Sequence, residues 1–350
     1  MPEAVLAVPG DLAAPTGGYA YARALLAHLP AAGVAVAPLR LPDSFPDPTP
    51  ADLAATAAAF AALAPDAVLL VDGLAYGALP PGLIRAAAPR PLVALVHHPV
   101  GLEAGLAPER AAVLIESERA ALGLARGVVA TSRFTARLIA RAFGVPAARI
   151  TVAEPGTSPA ARVAPRPGAR AALLAVGAVT PRKGYGVLVR ALRDLADLDW
   201  RLTIAGALDR APACAAALRE AVAGAGLAGR VTLAGAVPAA ALDRLYAEAD
   251  LVVSSSLFEG YGMALAESLG RGLPVVATTG GAAAETVPDA AGLKVPPDDA
   301  PALAAALRAL IADPGRRAAA AAAAWAAGRR LPDWGSTAAA VARALAEARR

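Results

Sequence analysis

Ser254-Ser-Ser-Leu-Phe-Glu-Gly-Tyr-Gly-Met-Ala-Leu-Ala-Glu-Ser-Leu-Gly270 decides how the rest of the chain is read. Ahead of it, Ala249-Asp-Leu-Val-Val-Ser254 has the apolar run of a buried strand, and Leu273-Pro-Val-Val-Ala277 behind it has the same. Between them a glycine-punctuated loop opens a short helix at about Gly262. Glu259 falls on the loop and Glu267 inside the helix. Leu265, Ala266 and Leu269 flank Glu267, an apolar setting in which an unpaired charge is costly, so a polar partner is expected. The free amides of Gly262, Met263 and Ala264 at the helix start form an anion site. Two carboxylates and a nest of amides suit a ligand with hydroxyls at both ends and phosphate in the middle. The alternative is a surface pair between Glu267 and Arg271, four residues apart.

The chain has 350 residues, room for two domains of ordinary size. With 57% hydrophobic and 18% charged residues it can bury a large core, and disorder is not expected. A net charge of +4 fits phosphate-bearing substrates or an anionic membrane face. It is too small to imply nucleic acid, and 4% aromatic residues leave few stacking platforms for bases. Cys214 is the only cysteine, which excludes an internal disulfide framework and a cysteine metal cluster. Met1-Pro-Glu-Ala-Val lacks the basic start of a signal peptide, and no uncharged apolar run approaches a membrane span. A cytoplasmic protein is expected.

The first half alternates strand and helix. Strands are predicted over Ala4–Val8, Val34–Leu39, Ala67–Asp72, Leu92–His97, Gly127–Thr131 and Ile150–Ala153. Their continuous apolar character is that of a parallel sheet. Gly17 and Gly18 follow the first strand and open a helix running to about Leu29, which suits close backbone approach to a phosphate or sugar. His97 ends the fourth strand, where ligands gather in doubly wound sheets, although strand-end histidines also serve structural roles. Ser132 caps a helix whose Arg133, Arg137 and Arg141 make a basic stripe. The stripe reads as a solvated face or as a contact for anionic membrane.

Proline recurs through 154–170 among small and basic residues, the composition of a linker. The alternation then restarts. Strands are predicted at Ala172–Val176, Arg201–Ala205 and Arg230–Leu233, with helices from about Gly186, at Cys214–Ala223 and at Ala239–Ala247. Val176-Gly-Ala-Val-Thr-Pro-Arg-Lys-Gly184 places Gly177, Arg182 and Lys183 on the loop after the first of these strands. Two adjacent cations there suit a diphosphate. Two motif matches fail on context. Gly224-Ala-Gly-Leu-Ala-Gly229 follows a helix and precedes a strand, the reverse of a dinucleotide loop. Asp197-Leu-Asp199 lies at the entry end of its strand, opposite the expected ligand.

Taken in order, these motifs resemble those of the family 4 retaining glycosyltransferases. They are Gly17-Gly18, His97, Gly177 through Arg182-Lys183-Gly184, and Glu259 to Glu267 with its Glu-Gly-Tyr-Gly-Met loop. Gly280-Gly-Ala-Ala-Ala-Glu285 and Gly292-Leu-Lys-Val-Pro-Pro-Asp298 join them, so the resemblance takes in essentially the whole chain. Pro155-Gly-Thr-Ser158 departs from the Asn-Gly-Val-Asp often found in the family. The resemblance implies an α/β GT-B fold, two doubly wound Rossmann-like domains facing each other across a cleft. Residues 1–165 would form the acceptor-side domain and 166–332 the nucleotide-sugar-binding domain, with a last helix over about 333–350, around Trp334, packed back on the first.

It also implies transfer of a hexose-type sugar from a nucleotide-diphospho-sugar to a glycan, lipid or small-molecule acceptor, with anomeric configuration retained. No metal or other cofactor would be needed. His97, Arg182, Lys183 and Glu259 would be the catalytic set: Arg182 and Lys183 on the diphosphate, Glu259 and His97 on the sugar. Glu267 would bind ribose, and Gly17, Gly18, Gly177, Gly262, Met263 and Ala264 would complete the donor site. Closure would bring His97 and the Gly17-Gly18 loop to the donor. A nucleotide-sugar epimerase of the same architecture would lack this pair of glutamates with the Arg-Lys loop. A non-catalytic nucleotide-sugar-binding module would have lost site residues that are present here.

Overall fold

The computed structural model describes residues 3–164 and 170–350. The boundary expected at 165–166 lies outside the described residues, as do residues 165–169 of the proline-rich run 154–170. The chain divides into two compact units, Met1–Gly156 with Pro332–Arg350, and Thr157–Leu331.

The first unit is built on six parallel strands: β1 (Ala4–Pro9), β2 (Val36–Leu41), β3 (Val68–Asp72), β4 (Leu92–Val96), β5 (Gly127–Ala130) and β6 (Ile150–Val152). Its helices are α1 (Gly17–His28), α2 (Pro50–Ala61), α3 (Gly73–Tyr76), α4 (Pro81–Ala86), α5 (Pro108–Leu124) and α6 (Arg133–Phe143). The strand order β2-β1-β3-β4-β5-β6 reverses direction between β1 and β3. Successive residues of each strand face opposite sides of the sheet. Leu6, Val68, Leu70, Val93 and Leu95 pack under α1, while Ala7, Leu69, Val71, Ala94 and Val96 form the core beneath Phe60, Tyr76 and Ile139. With both faces covered, the strands are apolar at every position rather than at alternate ones.

The second unit has β7 (Ala171–Val176), β8 (Trp200–Ala205), β9 (Val231–Gly235), β10 (Leu251–Ser254), β11 (Val275–Thr278) and β12 (Gly292–Val295). Its helices are α7 (Tyr185–Arg193), α8 (Pro212–Gly224), α9 (Ala239–Ala247), α10 (Met263–Gly270), α11 (Ala283–Thr286), α12 (Ala300–Ile311) and α13 (Pro314–Gly328). The order β12-β11-β10-β7-β8-β9 is that of a dinucleotide-type doubly wound sheet, reversing between β7 and β10. The sixth strand, β12, was not expected. Gly292-Leu-Lys-Val295 is short, opens on glycine and carries Lys294, and only its parallel pairing with Val275–Thr278 makes it a strand.

The last helix, α14 (Trp334–Ala348), belongs to the first unit. Ala338, Val341, Ala344 and Leu345 join Leu6, Tyr21, Leu25 and Leu29 in one buried cluster. Asp333 caps it, accepting from the Ser336 amide at 2.7 Å.

Candidate active site

In the first unit Gly17-Gly18 open α1 after β1, Asp72 closes β3 and His97 follows β4. They surround the point where the strand order reverses, the place where doubly wound sheets bind ligands. Thr16 caps α1 by accepting from the Tyr19 amide at 3.3 Å, so the helix begins at the glycine pair. The His97 ring lies over Gly18: a Cβ there would sit 3.6 Å from its Cδ2. Tyr21 meets the ring edge-on at 5.1 Å between centroids, and its hydroxyl donates to the Ala153 carbonyl at 2.9 Å. Nε2 of His97 stands 3.5 Å from Oδ2 of Asp72, whose Oδ1 accepts from the Leu74 amide. Asp72 is thus a member of this cluster that sequence reasoning placed only at a strand end. Its signal was a carboxylate closing an otherwise apolar run at a strand's carboxyl end.

In the second unit the loops after β7 and β10 meet at the reversal of strand order. They are joined through backbone: the Leu257 amide donates to the Arg182 carbonyl at 2.7 Å, and the Ser255 hydroxyl to the Lys183 carbonyl at 2.9 Å. Gly184 makes the approach feasible. Its φ is +61°, and a Cβ there would collide with the Ser255 carbonyl oxygen. Gly177, at φ +150°, lies against Lys183, with Cε 2.6 Å from where its Cβ would stand.

This folding puts both cations on one carboxylate. Lys183 Nζ lies 2.6 Å from Oε1 of Glu259 and Arg182 Nη1 lies 3.4 Å from Oε2. The Ser256 hydroxyl donates to Oε1 at 2.6 Å, and Arg182 also donates to the Phe258 carbonyl at 2.9 Å. Burial by itself pushes the Glu259 carboxyl up, but the charges of Lys183 and Arg182 and the two hydrogen bonds outweigh it and hold the group down at about 2. The Glu259 backbone is tied as well: its amide donates to Gly280 and its carbonyl accepts from Ala282. The Gly280-Gly281 motif therefore serves to fix the Glu259 loop.

α10 begins immediately beyond, with Gly262 as its cap at φ +91°. The amides of Leu265 and Ala266 return to the Gly262 carbonyl, which leaves those of Met263 and Ala264 without an intrahelical acceptor. One turn further, Glu267 Oε2 accepts from the Tyr246 hydroxyl at 2.8 Å. Arg271 does not pair with that carboxylate. It donates to the Glu267 backbone carbonyl at 3.2 Å, pairs with Asp243 and stacks on the Tyr246 ring at 4.5 Å. Burial raises the Glu267 pKa, against the lowering effects of the Tyr246 hydrogen bond and the Arg271 charge. The polar partner expected for Glu267 is thus a tyrosine brought in by α9.

Elsewhere, Asp197 is held by Arg308 at 2.6 and 2.8 Å and Asp199 by Arg170 at 2.9 Å, at the entry end of β8. Arg133 of the basic stripe lies 3.8 Å from Glu154. Among the described residues no helix is long and apolar enough to cross a membrane.

Residues 12–161 match the model of Glycosyltransferase Family 4, and residues 170–313 match that of Glycosyl transferases group 1. A D-inositol 3-phosphate glycosyltransferase of Xylanimonas cellulosilytica is 34% identical over 238 residues, covering 63% of this chain and 57% of the relative. A GDP-mannose-dependent alpha-(1-6)-phosphatidylinositol monomannoside mannosyltransferase of Mycolicibacterium smegmatis is 33% identical over 217 residues, covering 55% of this chain and 54% of the relative. The chain thus spans little more than half the length of these curated relatives. Among solved structures, sucrose-phosphate synthase of Thermosynechococcus elongatus shares the fold, with a TM-score of 0.80 at 24% identity over 95% of this chain and 96% of that one.

Proposed function

Because the chain belongs to the family 4 glycosyltransferases, matched through both of its units, we propose that it moves a sugar from a nucleotide-diphospho-sugar to an acceptor hydroxyl with anomeric configuration retained. The observation that carries the proposal is the convergence of Arg182, Lys183 and Glu259 where the second sheet reverses, next to the start of α10.

In the reaction the bond from the anomeric carbon to the diphosphate oxygen breaks. The nucleoside diphosphate leaves with the electron pair, and the acceptor oxygen bonds to the same carbon as its proton passes to the departing diphosphate oxygen. Charge grows on the leaving diphosphate, so donors aimed at it stabilise the transition state more than the ground state. Arg182, Lys183 and the amides of Met263 and Ala264 are those donors in this proposal. Donor binding exchanges Glu259 for phosphate as the partner of the two cations, and Glu259 turns to sugar hydroxyls. Glu267, oriented by Tyr246, takes the ribose. His97, with Asp72 beside it, serves the transferred sugar.

The 34% and 33% identical relatives are named for inositol 3-phosphate and for a phosphatidylinositol mannoside with GDP-mannose. Those molecules are the first acceptors to offer, and UDP- and GDP-sugars the first donors. The experiment is a thermal-shift screen of nucleotide sugars, followed by assay of nucleoside diphosphate release. A rise in melting temperature with one nucleotide class, and cleavage of a sugar within it, is expected. A panel that neither stabilises the protein nor is cleaved would remove the proposal.

A further inference from the structure

Nε2 of His97 is a buried polar atom with no fully formed hydrogen bond among the described residues. It faces Oδ2 of Asp72 at 3.5 Å. Strand register brings the two together. Leu70 pairs with Val93 and Asp72 with Leu95 across β3 and β4, so all four point to the side of the sheet that α1 covers. His97, two residues beyond Leu95, continues on that side, against Gly18 and Tyr21 of α1. Gly73 lets the chain leave Asp72 close over the end of β4: a Cβ there would stand 2.9 Å from the Leu95 carbonyl oxygen.

Both partners are held in place. Asp72 is 5% exposed, and its Oδ1 accepts from the Leu74 amide at 2.9 Å, which leaves Oδ2 for the ring. Tyr21 meets the ring edge-on, with its own hydroxyl fixed on the Ala153 carbonyl. Gly18 covers the same edge of the ring, where its Cβ would stand 3.7 Å from Nε2. The His97 side chain is nevertheless 26% exposed. Since Nε2 is buried, Nδ1 is the polar atom that the ring has left to offer a ligand.

At 3.5 Å the contact is one of facing polar groups rather than a fully formed hydrogen bond, and its sign decides the chemistry of the ring. A neutral imidazole carries a proton on one nitrogen and a lone pair on the other. A lone pair on Nε2 would set two acceptors against each other out of reach of solvent, whereas a proton there meets the carboxylate. We infer that Asp72 is a positioning residue that fixes the tautomer of His97: Nε2 carries the proton, and Nδ1 is presented as an acceptor to a hydroxyl of the transferred sugar. The use of Nδ1 rests on the role proposed for His97 in sugar transfer. The tautomer does not, and the test reads it without a ligand.

The test is NMR of the ring nitrogens in the full chain, at a pH where the ring is neutral, as wild type and Asp72→Asn. The chain has three histidines, and His97→Gln assigns the signals by omission. Wild type should show a single form, with Nε2 protonated and Nδ1 bare. In Asp72→Asn the side-chain oxygen stays on the Leu74 amide, so the side-chain nitrogen takes the place of Oδ2 and points a donor at Nε2. The two ring signals should then exchange character, with the proton on Nδ1, while those of His28 stay in place. An aspartate with only a packing role would leave the tautomer where it was. A wild-type ring protonated on Nδ1 or present as a mixture, or an Asp72→Asn ring that keeps the wild-type pattern, overturns the inference. The wild-type arm decides even if the asparagine variant fails to fold.

Discussion

Lys183 Nζ stands 2.6 Å from Oε1 of Glu259, a residue 76 positions away, and the pair closes the loop after β7 onto the loop after β10. Each partner was expected from the sequence to meet ligand, but their pairing was not. In the proposed donor site, the two cations are held by Glu259 until a diphosphate takes its place.

Acid stability should report that pairing. The Glu259 carboxyl is held at about 2, below its ordinary 4.5, so its contribution is present above about pH 4.5 and lost as pH falls toward 2. That contribution is on the order of 3 kcal/mol. Glu118 has the opposite sign. With its carboxyl raised to about 8, its contribution is full below about 4.5 and lost as pH rises through 8. Melting curves from pH 3 to 9 should show Glu259→Gln flattening the acid limb and Glu118→Gln flattening the fall between about pH 4.5 and 8. Unchanged limbs in both variants would contradict these assignments.

Nucleotide binding should separate Glu267 from Arg271. Glu267→Gln should weaken binding of the bare nucleoside diphosphate by roughly tenfold, the scale of one hydrogen bond to a charged group. Arg271→Ala should leave that affinity within about twofold, since its contacts are Tyr246, Asp243 and a backbone carbonyl. Calorimetry giving equal losses for the two variants would return Glu267 to a structural pairing.

Gly184→Ala should destabilise the second unit by about 2 kcal/mol or more and impair donor binding. The new methyl group meets the Ser255 carbonyl oxygen, and the left-handed backbone is strained for alanine. Gly226→Ala is the control: it shares the left-handed backbone, at φ +70°, with nothing within 4 Å of its Cβ. It should cost about 1 kcal/mol and leave donor binding intact. Equal effects on binding would show that the crowding at Gly184 is not what matters.

The leaving-group assignment also makes a chelator test. If Arg182, Lys183 and the α10 amides carry the charge of the departing diphosphate, excess chelator should leave turnover unchanged. Abolished activity restored by magnesium or manganese would direct attention to other carboxylates, although Asp197 and Asp199 are each engaged by an arginine.

The fold was readable wherever both faces of a strand are buried, because Leu69-Leu-Val71 or Leu92-Val-Ala-Leu-Val96 admits no other element of that length. β12 was not, since its strand character comes from its neighbour. Gly177, Lys183 and Glu259 were legible because glycines and charges interrupt apolar runs at strand ends. Tyr246 and Asp72 were missed because tyrosine in an amphipathic helix and aspartate at a strand end have many uses. Glu118 left a trace: it occupies a core position in the spacing Leu114, Glu118, Ala121, Leu122, where a charged residue breaks the pattern.

The most direct measurement is turnover and donor affinity of Lys183→Ala against wild type, on the nucleotide sugar that the wild-type protein cleaves. Turnover should fall about 10²-fold or more, the scale for losing one preorganised donor to a developing anion. Affinity should fall less, because the diphosphate is charged before reaction and more so on departure. A Lys183→Ala protein with normal turnover, or with affinity and turnover lost in equal measure through binding alone, would contradict the account.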